Sequence, residues 1–156
     1  MADISTAVQN QLNSDLIEAA FWGHTQKVQD LLDRGVPIDT KDIYGITSLI
    51  WAVSAGRTET AQLLIARHAD VNAQDNNNNT PLIMAVKNDR AEMIQVLLDN
   101  NADVNLSNNK GETALMVAKE NKSFEIIEIL YAHTKKEEHP KQVFSLYHHM
   151  TMPSPS

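Results

Sequence analysis

The sequence predicts an all-α solenoid in which short helix–turn–helix units stack side by side, and three observations predict it. The first is a fixed period. Thr47, Thr80 and Thr113 are spaced by 33, as are Leu49, Leu82 and Leu115. Ala19, Ala52, Ala85 and Ala118 hold the same step over four units, as do Leu31, Leu64, Leu97 and Leu130, and "ADVN" at 69–72 returns at 102–105. Self-similarity at such a period is the mark of a repeat architecture. The second is the grammar inside each period: two short apolar stretches separated by a polar turn. Neither stretch is long enough to be a stable helix alone, so neighbouring units must bury each other's apolar faces. The third is composition. A chain of 156 residues, 42% of them hydrophobic, suits one domain with a substantial core.

The elements follow in order. Residues 1–13 read as an N-terminal extension. Residues 14–40 form a degenerate first unit, "SDLIEAAFWGHTQKVQDLLDRGVPID", which lacks a leading turn-rich stretch, as an N-terminal capping repeat would. The second unit, 41–73, runs from a turn into "TSLIWAV", the polar turn "SAGR" and "TETAQLLIARH". The third, 74–106, repeats this as "TPLIMAV", "KNDR" and "AEMIQVLLDNN", and the fourth, 107–134, as "TALMVAK", "ENKS" and "FEIIEILYAH". Thr at each helix start is a good N-cap, because its hydroxyl accepts from an exposed backbone N–H. Pro81 just inside the third has a φ suited to the first turn. Ala61, Leu64 and Ile65 fall at helical spacing, as do Ile94, Leu97 and Leu98. The phase of Trp51 within its helix, between repeats, predicts a core position.

The asparagine run 76–79 fits the same frame. Asn78 lies 33 after Gly45 and 33 before Gly111, so it occupies a turn slot that needs positive φ, where Asn is the best residue after Gly. Asn76 and Asn77 flank that turn, and Asn79 precedes the Thr cap. In the fourth unit Lys119 takes the slot of Ala20, Val53 and Val86, with Glu120, Glu125 and Glu128 nearby, as a C-terminal cap with a wetted outer face would. After His133 the period stops. Residues 135–156 are expected to be a flexible tail, with "VFSLY" at 143–147 as an apolar island able to fold back over the last repeat or be offered to a partner.

The 33-residue unit resembles the ankyrin repeat, a β-turn hairpin followed by two antiparallel helices. The resemblance is carried by "DIYGITSLIWAVSAGRTETAQLLIARHADVNA" (42–73), its copies at 75–106 and 108–134, and the degenerate first copy. It covers residues 14–134 and speaks for fold far more than for activity. The family's Thr-Pro-Leu-His motif carries Ile50, Ile83 and Met116 at its histidine. The resemblance implies that this histidine ties neighbouring turns, so its loss trades those bonds for packing and leaves the hairpins less rigid. The glycine that ends the second helix is kept as Gly35 and replaced by His68, Asn101 and Thr134. The left-handed site tolerates Asn and strains His68.

The resemblance further implies recognition of another protein by the hairpin tips and the exposed side of the first helices, which line a concave groove. The residues at those places are Phe21 and Trp22, then Ile43, Tyr44, Ile46, Ser54 and Ala55. In the third unit they are Asn76, Asn77, Asn79, Lys87 and Asn88, and in the fourth Asn109, Lys110, Glu112, Glu120 and Asn121. Phe21, Trp22, Ile43, Tyr44 and Ile46 are large apolar residues that the repeat template does not require. The expected function is non-catalytic binding of another protein, biased to the N-terminal half. A related reading is an adaptor whose tail makes a second contact. Leu64 with Asp70-Val71-Asn72, and Leu97 with Asp103-Val104-Asn105, also resemble the context in which ankyrin asparagines are β-hydroxylated; the alternative is that Asn72 and Asn105 bond their own turns.

Other classes are disfavoured. Thirteen Lys+Arg against twenty Asp+Glu give a net charge of −7, which suits neither a nucleic-acid backbone nor an anionic membrane. With no cysteine there is no disulfide framework and no thiolate nucleophile or metal ligand. The N-terminus lacks the pattern of a secretory signal, and no apolar run approaches the ~20 residues of a membrane span. A cytoplasmic monomer is expected, without cofactor. No phosphate loop, G-x-S-x-G or H-E-x-x-H occurs. His133, His139 and the His148-His149 pair offer at most a loose metal site. Asp70 and Asp103 are locked to the period, which marks them as loop structure rather than an acid–base pair. An enzyme would need a site on loops too short to enclose a pocket.

Overall fold

The computed structural model describes residues 4–134. The expected tail at 135–156, with its apolar island and His139, His148 and His149, lies outside the described residues. Eight helices follow one another among them: α1 (Ile4–Trp22), α2 (Thr25–Asp33), α3 (Ser48–Ser54), α4 (Thr58–Ala66), α5 (Pro81–Lys87), α6 (Ala91–Asp99), α7 (Ala114–Glu120) and α8 (Phe124–Thr134). They form two layers. The first helices of the units, α1, α3, α5 and α7, stack in chain order, and α2, α4, α6 and α8 stack behind them. The period explains the core between the layers. Leu31, Leu64, Leu97 and Leu130 are each at most 4% exposed, and Ala19, Ala52, Ala85 and Ala118 at most 1%. At the alanine slot a larger side chain would overpack the seam.

Helix α1 differs from its counterparts. It is 19 residues long where α3, α5 and α7 have seven, and it runs unbroken through Asn13 and Ser14. The division between extension and first repeat thus falls inside one helix, which packs on both α2 and α3.

The helix ends follow the sequence closely. Thr47, Thr80 and Thr113 accept through their hydroxyls from the backbone N–H of Ile50, Ile83 and Met116. Helices α2, α4 and α6 each close on a left-handed residue: Gly35 (φ 87°), His68 (φ 68°) and Asn101 (φ 66°). The following N–H reaches back to Leu31, Leu64 and Leu97, whose carbonyls accept at 3.2, 2.9 and 3.0 Å, a Schellman closure. His68 therefore carries the left-handed backbone expected of it, at a cost of roughly 1–2 kcal/mol for a non-glycine residue.

The hairpins are held differently from expectation. Ile50 and Ile83 are buried, Met116 is exposed, and the missing histidine is replaced by a polar ladder. Asp42 Oδ1 accepts from the N–H of Tyr44 and Ile46, each at 2.9 Å. Asp75 Oδ1 does the same for Asn77 and Asn79, and Asn108 Oδ1 for Lys110 and Glu112. One side chain per unit thus closes its own turn. Successive turns are then tied together. Asn76 donates its backbone N–H to the Tyr44 carbonyl and its side-chain amide to the Ile43 carbonyl. Asn109 repeats this on Asn77 and Asn76. Lys41 Nζ donates to the Gln74 carbonyl, and Gln74 Nε2 to that of Ser107. Gly45 is required by this ladder: φ is 74°, and a Cβ there would stand 2.8 Å from Asn76 N and collide with its Oδ1. The ladder also corrects one expectation, because Asn79 is buried against Asp75 rather than offered to the groove.

The loops behind the hairpins form a second ladder. Asp39 accepts from the Asp70 N–H and Asn72 Oδ1 from the Asp103 N–H, at 3.0 and 2.8 Å. Asp70 and Asp103 meanwhile cap the N–H of Asn72 and Asn105. Both carboxylates are loop structure, and the Asn72 side chain ties the next unit instead of its own turn. At the last unit Lys119 is exposed, with its ammonium 5.7 Å from the Tyr131 ring centroid. Its counterparts Ala20, Val53 and Val86 are fully buried.

Two predictions concern these turns. Asn78 has φ 58° and an exposed side chain, so Asn78→Gly should be neutral or stabilising by up to ~1 kcal/mol in urea unfolding. A clear loss would mean that its amide makes a needed contact. Ser48 is fully buried, and its Oγ has no hydrogen-bond partner. The same slot holds Pro81 and Ala114 in the next units. Thr47 already has the extended backbone (φ −84°, ψ 165°) that a following proline requires. Ser48→Pro should therefore raise stability by about 1 kcal/mol, from removal of an unsatisfied hydroxyl and of unfolded-state freedom. A lower melting midpoint would contradict this reading of the slot.

Candidate functional site

A groove of about 650 Å³ opens between the inner side of α1 and the first hairpin, lined by Asn10, Asn13, Ser14, Ile17, Glu18, Phe21, Thr40, Lys41, Asp42, Ile43 and Trp51. The length of α1 makes this groove. Asn10, Ser14, Ile17 and Phe21 follow one another at helical spacing, and the three turns before Trp22 extend the wall past the point where the repeat template begins.

Its floor is aromatic. Phe21 and Trp51 meet edge to face, with centroids 5.3 Å apart and planes at 87°. Phe21 meets Trp22 in the same way at 4.9 Å and 79°. Such crossed pairs are the favoured arrangement of aromatic quadrupoles. The Trp51 indole Nε1–H donates to Asp42 Oδ2 at 2.8 Å. Asp42 therefore does two things with one carboxylate: Oδ1 closes the hairpin and Oδ2 fixes the indole. Trp51 is half-buried in the groove wall. Its expected core position is corrected: the polar edge of the indole needs a partner, and that partner is on the hairpin.

The other expected residues are distributed as follows. Ile43 and Tyr44 stand on the first hairpin tip, 83% and 62% exposed, and Trp22 is 53% exposed. Trp22 faces away from the groove, toward a shallow depression with Gly23, Arg57 and Glu59. Phe21, Ile46, Ser54 and Ala55 are half-buried, so Phe21 and Ile46 serve packing as well as surface. Asn77, Lys87 and Lys110 are exposed on the later units, where Lys87 Nζ donates to Asn79 Oδ1. The structure thus gathers Phe21 and Ile43 at one groove and leaves Tyr44, Trp22 and the polar set outside it.

Ile17, Glu18, Asp42 and Trp51 are among the groove residues that the sequence did not assign to the site. A signal for two of them exists. Glu18 and Trp51 share the slot occupied later by Met84 and Val117, and no other unit carries a charge or an indole there. Among the described residues no His, Cys, Asp and Glu group has an arrangement suited to a metal, and no helix is long and apolar enough to cross a membrane.

Residues 16–108 and 49–142 match the family model described as ankyrin repeats (3 copies). A comparison with curated proteins gives no match.

The double role of Asp42 is separable. Asp42→Asn retains Oδ1 for the hairpin but turns an amide N–H₂ toward the indole N–H. It should free Trp51, shifting its indole resonance, at a stability cost of roughly 1–2 kcal/mol. Asp42→Ala, which also orphans two backbone N–H groups, should cost clearly more. Equal losses in the two variants would show that the hairpin bonds contribute nothing.

Proposed function

Because this chain belongs to the ankyrin-repeat family, whose repeats generally mediate binding to other proteins, we propose that it is a non-catalytic recognition module that engages a protein partner through the N-terminal half of its concave side. The observation that carries this reading is the exposure of Trp22, Ile43 and Tyr44 at 53%, 83% and 62%, with a groove beside Ile43, while the equivalent tips of later units carry Asn76, Asn77, Asn109 and Lys110. Large apolar residues exposed beyond what the repeat requires mark interaction surfaces, and Trp and Tyr dominate the energetics of interfaces. The rigid ladder under the hairpins supports the reading, because a tip held in place loses little entropy on binding. A cytoplasmic setting is part of the proposal, supported by a cysteine-free chain that draws nothing from oxidising conditions.

Affinity capture from native lysate, followed by titration of the captured protein against variants, tests it. Trp22→Ala and Tyr44→Ala should each weaken binding by roughly 2 kcal/mol, with melting midpoints little changed because exposed side chains lose little burial. The double variant Asn77→Ala with Lys110→Ala should alter neither, since neither side chain is engaged in a hydrogen bond among the described residues. Normal binding by the aromatic variants and lost binding by the polar pair would move the site to the other end of the groove.

A further inference from the structure

We infer that the corner between Phe21 and Trp51 receives a cationic side chain, an ammonium or guanidinium carried by a basic segment of the protein partner; this rests on the recognition reading above and names the chemistry of its anchor. The two rings stand at 87° with centroids 5.3 Å apart, and both line the groove. Both rings therefore border one volume. A cation within about 6 Å of a ring centroid is attracted by the negative face of the ring, and crossed aromatic walls are the common protein device for holding alkylated ammonium groups. The hydrogen bond from Trp51 Nε1 to Asp42 Oδ2 holds one wall in place before any ligand arrives, so binding orders nothing new there.

The charges around the corner point the same way. Glu18 lines the groove one turn before Phe21, is exposed, and has no hydrogen-bond or ion-pair partner among the described residues. Asp42 supplies a second carboxylate to the same lining. Lys41, the single cation in that lining, donates its ammonium to the Gln74 carbonyl at 2.9 Å and is occupied by the hairpin ladder. The net charge of −7 adds a long-range field that draws cations in. A purely apolar anchor would find the same walls but would strip water from Glu18 and Asp42 without replacing it, which opposes burial. The repeat frame does not account for the corner either. The slot of Phe21 holds Ser54, Lys87 and Glu120 in later units, and that of Trp51 holds Met84 and Val117, so no later unit pairs two aromatics there. The volume of about 650 Å³ leaves room for the aliphatic stem of a lysine or arginine as well as its head.

The test uses the full-length, isotope-labelled chain and capped glycine-flanked peptides with one variable residue: lysine, trimethyl-lysine, arginine or norleucine. The indole N–H of Trp51 is followed, with that of Trp22 as internal control. Cationic peptides should shift Trp51 saturably while leaving Trp22 still, and norleucine should bind at least about tenfold more weakly. Glu18→Gln, at an exposed position that the fold does not use, should weaken the cationic peptides about fivefold, and added salt should do the same. Whichever cation binds tightest identifies the head group. Norleucine binding as well as lysine, an unchanged affinity in Glu18→Gln, or no movement of Trp51 with any cationic peptide would each overturn the inference. Those results leave the recognition reading standing if Trp22→Ala and Tyr44→Ala still weaken capture. Cationic binding at Trp51, with capture unaffected by those two variants, would instead sink the recognition surface and keep the cationic corner.

Discussion

Every part of this molecule depends on burial between neighbouring units. The helices after α1 are seven to eleven residues long, below the length at which a helix persists alone in water. They exist because each pair presents an apolar face to the next. This makes the structure quasi-one-dimensional, with stability passing from unit to unit, and it explains why the slots at the seam tolerate so little variety. Ala19, Ala52, Ala85 and Ala118 are buried where two first helices approach, and their carbonyls accept from the N–H of His24, Arg57, Arg90 and Ser123. One residue type thus sets both the spacing of the stack and the closure of the first helices.

The ends of the stack show the same constraint from the other side. A terminal unit has no neighbour on one face. At the C-terminal end that face is wetted by Lys119, Glu120, Glu125 and Glu128, all exposed. At the N-terminal end the chain instead lengthens its helix. The extra turns of α1 reach beyond the repeat frame and become one wall of the groove. The candidate site therefore sits where the repeat pattern is broken. A periodic surface treats all units alike, and specificity needs a place where they differ.

Within the hairpins a polar ladder does what apolar packing cannot. The tips are exposed, so burial gives them little, and a turn left to itself would be mobile. Asp42, Asp75 and Asn108 each satisfy two backbone N–H groups. Asn76 and Asn109 then bond the carbonyls of the preceding tip. The asparagines that look like a low-complexity run are thus individually engaged: Asn76 as a tie between tips, Asn77 through its carbonyl to Asn109, Asn78 as the left-handed turn residue, and Asn79 as a buried partner of Asp75. The resulting rigidity carries the Ile43–Tyr44 tip.

By itself the sequence determined whatever repeats or acts locally. The period gave the number of units and the core slots. The Thr caps, Pro81 and the positive φ at Asn78, His68 and Asn101 followed from the conformational limits of single residues, which do not depend on distant partners. Tertiary structure decided the rest. Trp51 reads as core by helical phase, yet its indole N–H must be satisfied, and only the folded hairpin brings Asp42 within 2.8 Å of it. Asn79 reads as a tip residue, yet the ladder buries it. Trp22 follows Phe21 in the chain but faces another depression, because neighbouring residues on a helix diverge by about 100°. The groove joins α1 to a hairpin some twenty residues on, through crossed rings and a shared carboxylate, and no spacing in the sequence encodes that meeting. Periodicity records what each unit needs from the next, whereas a binding site is made of what one unit does not share with the others.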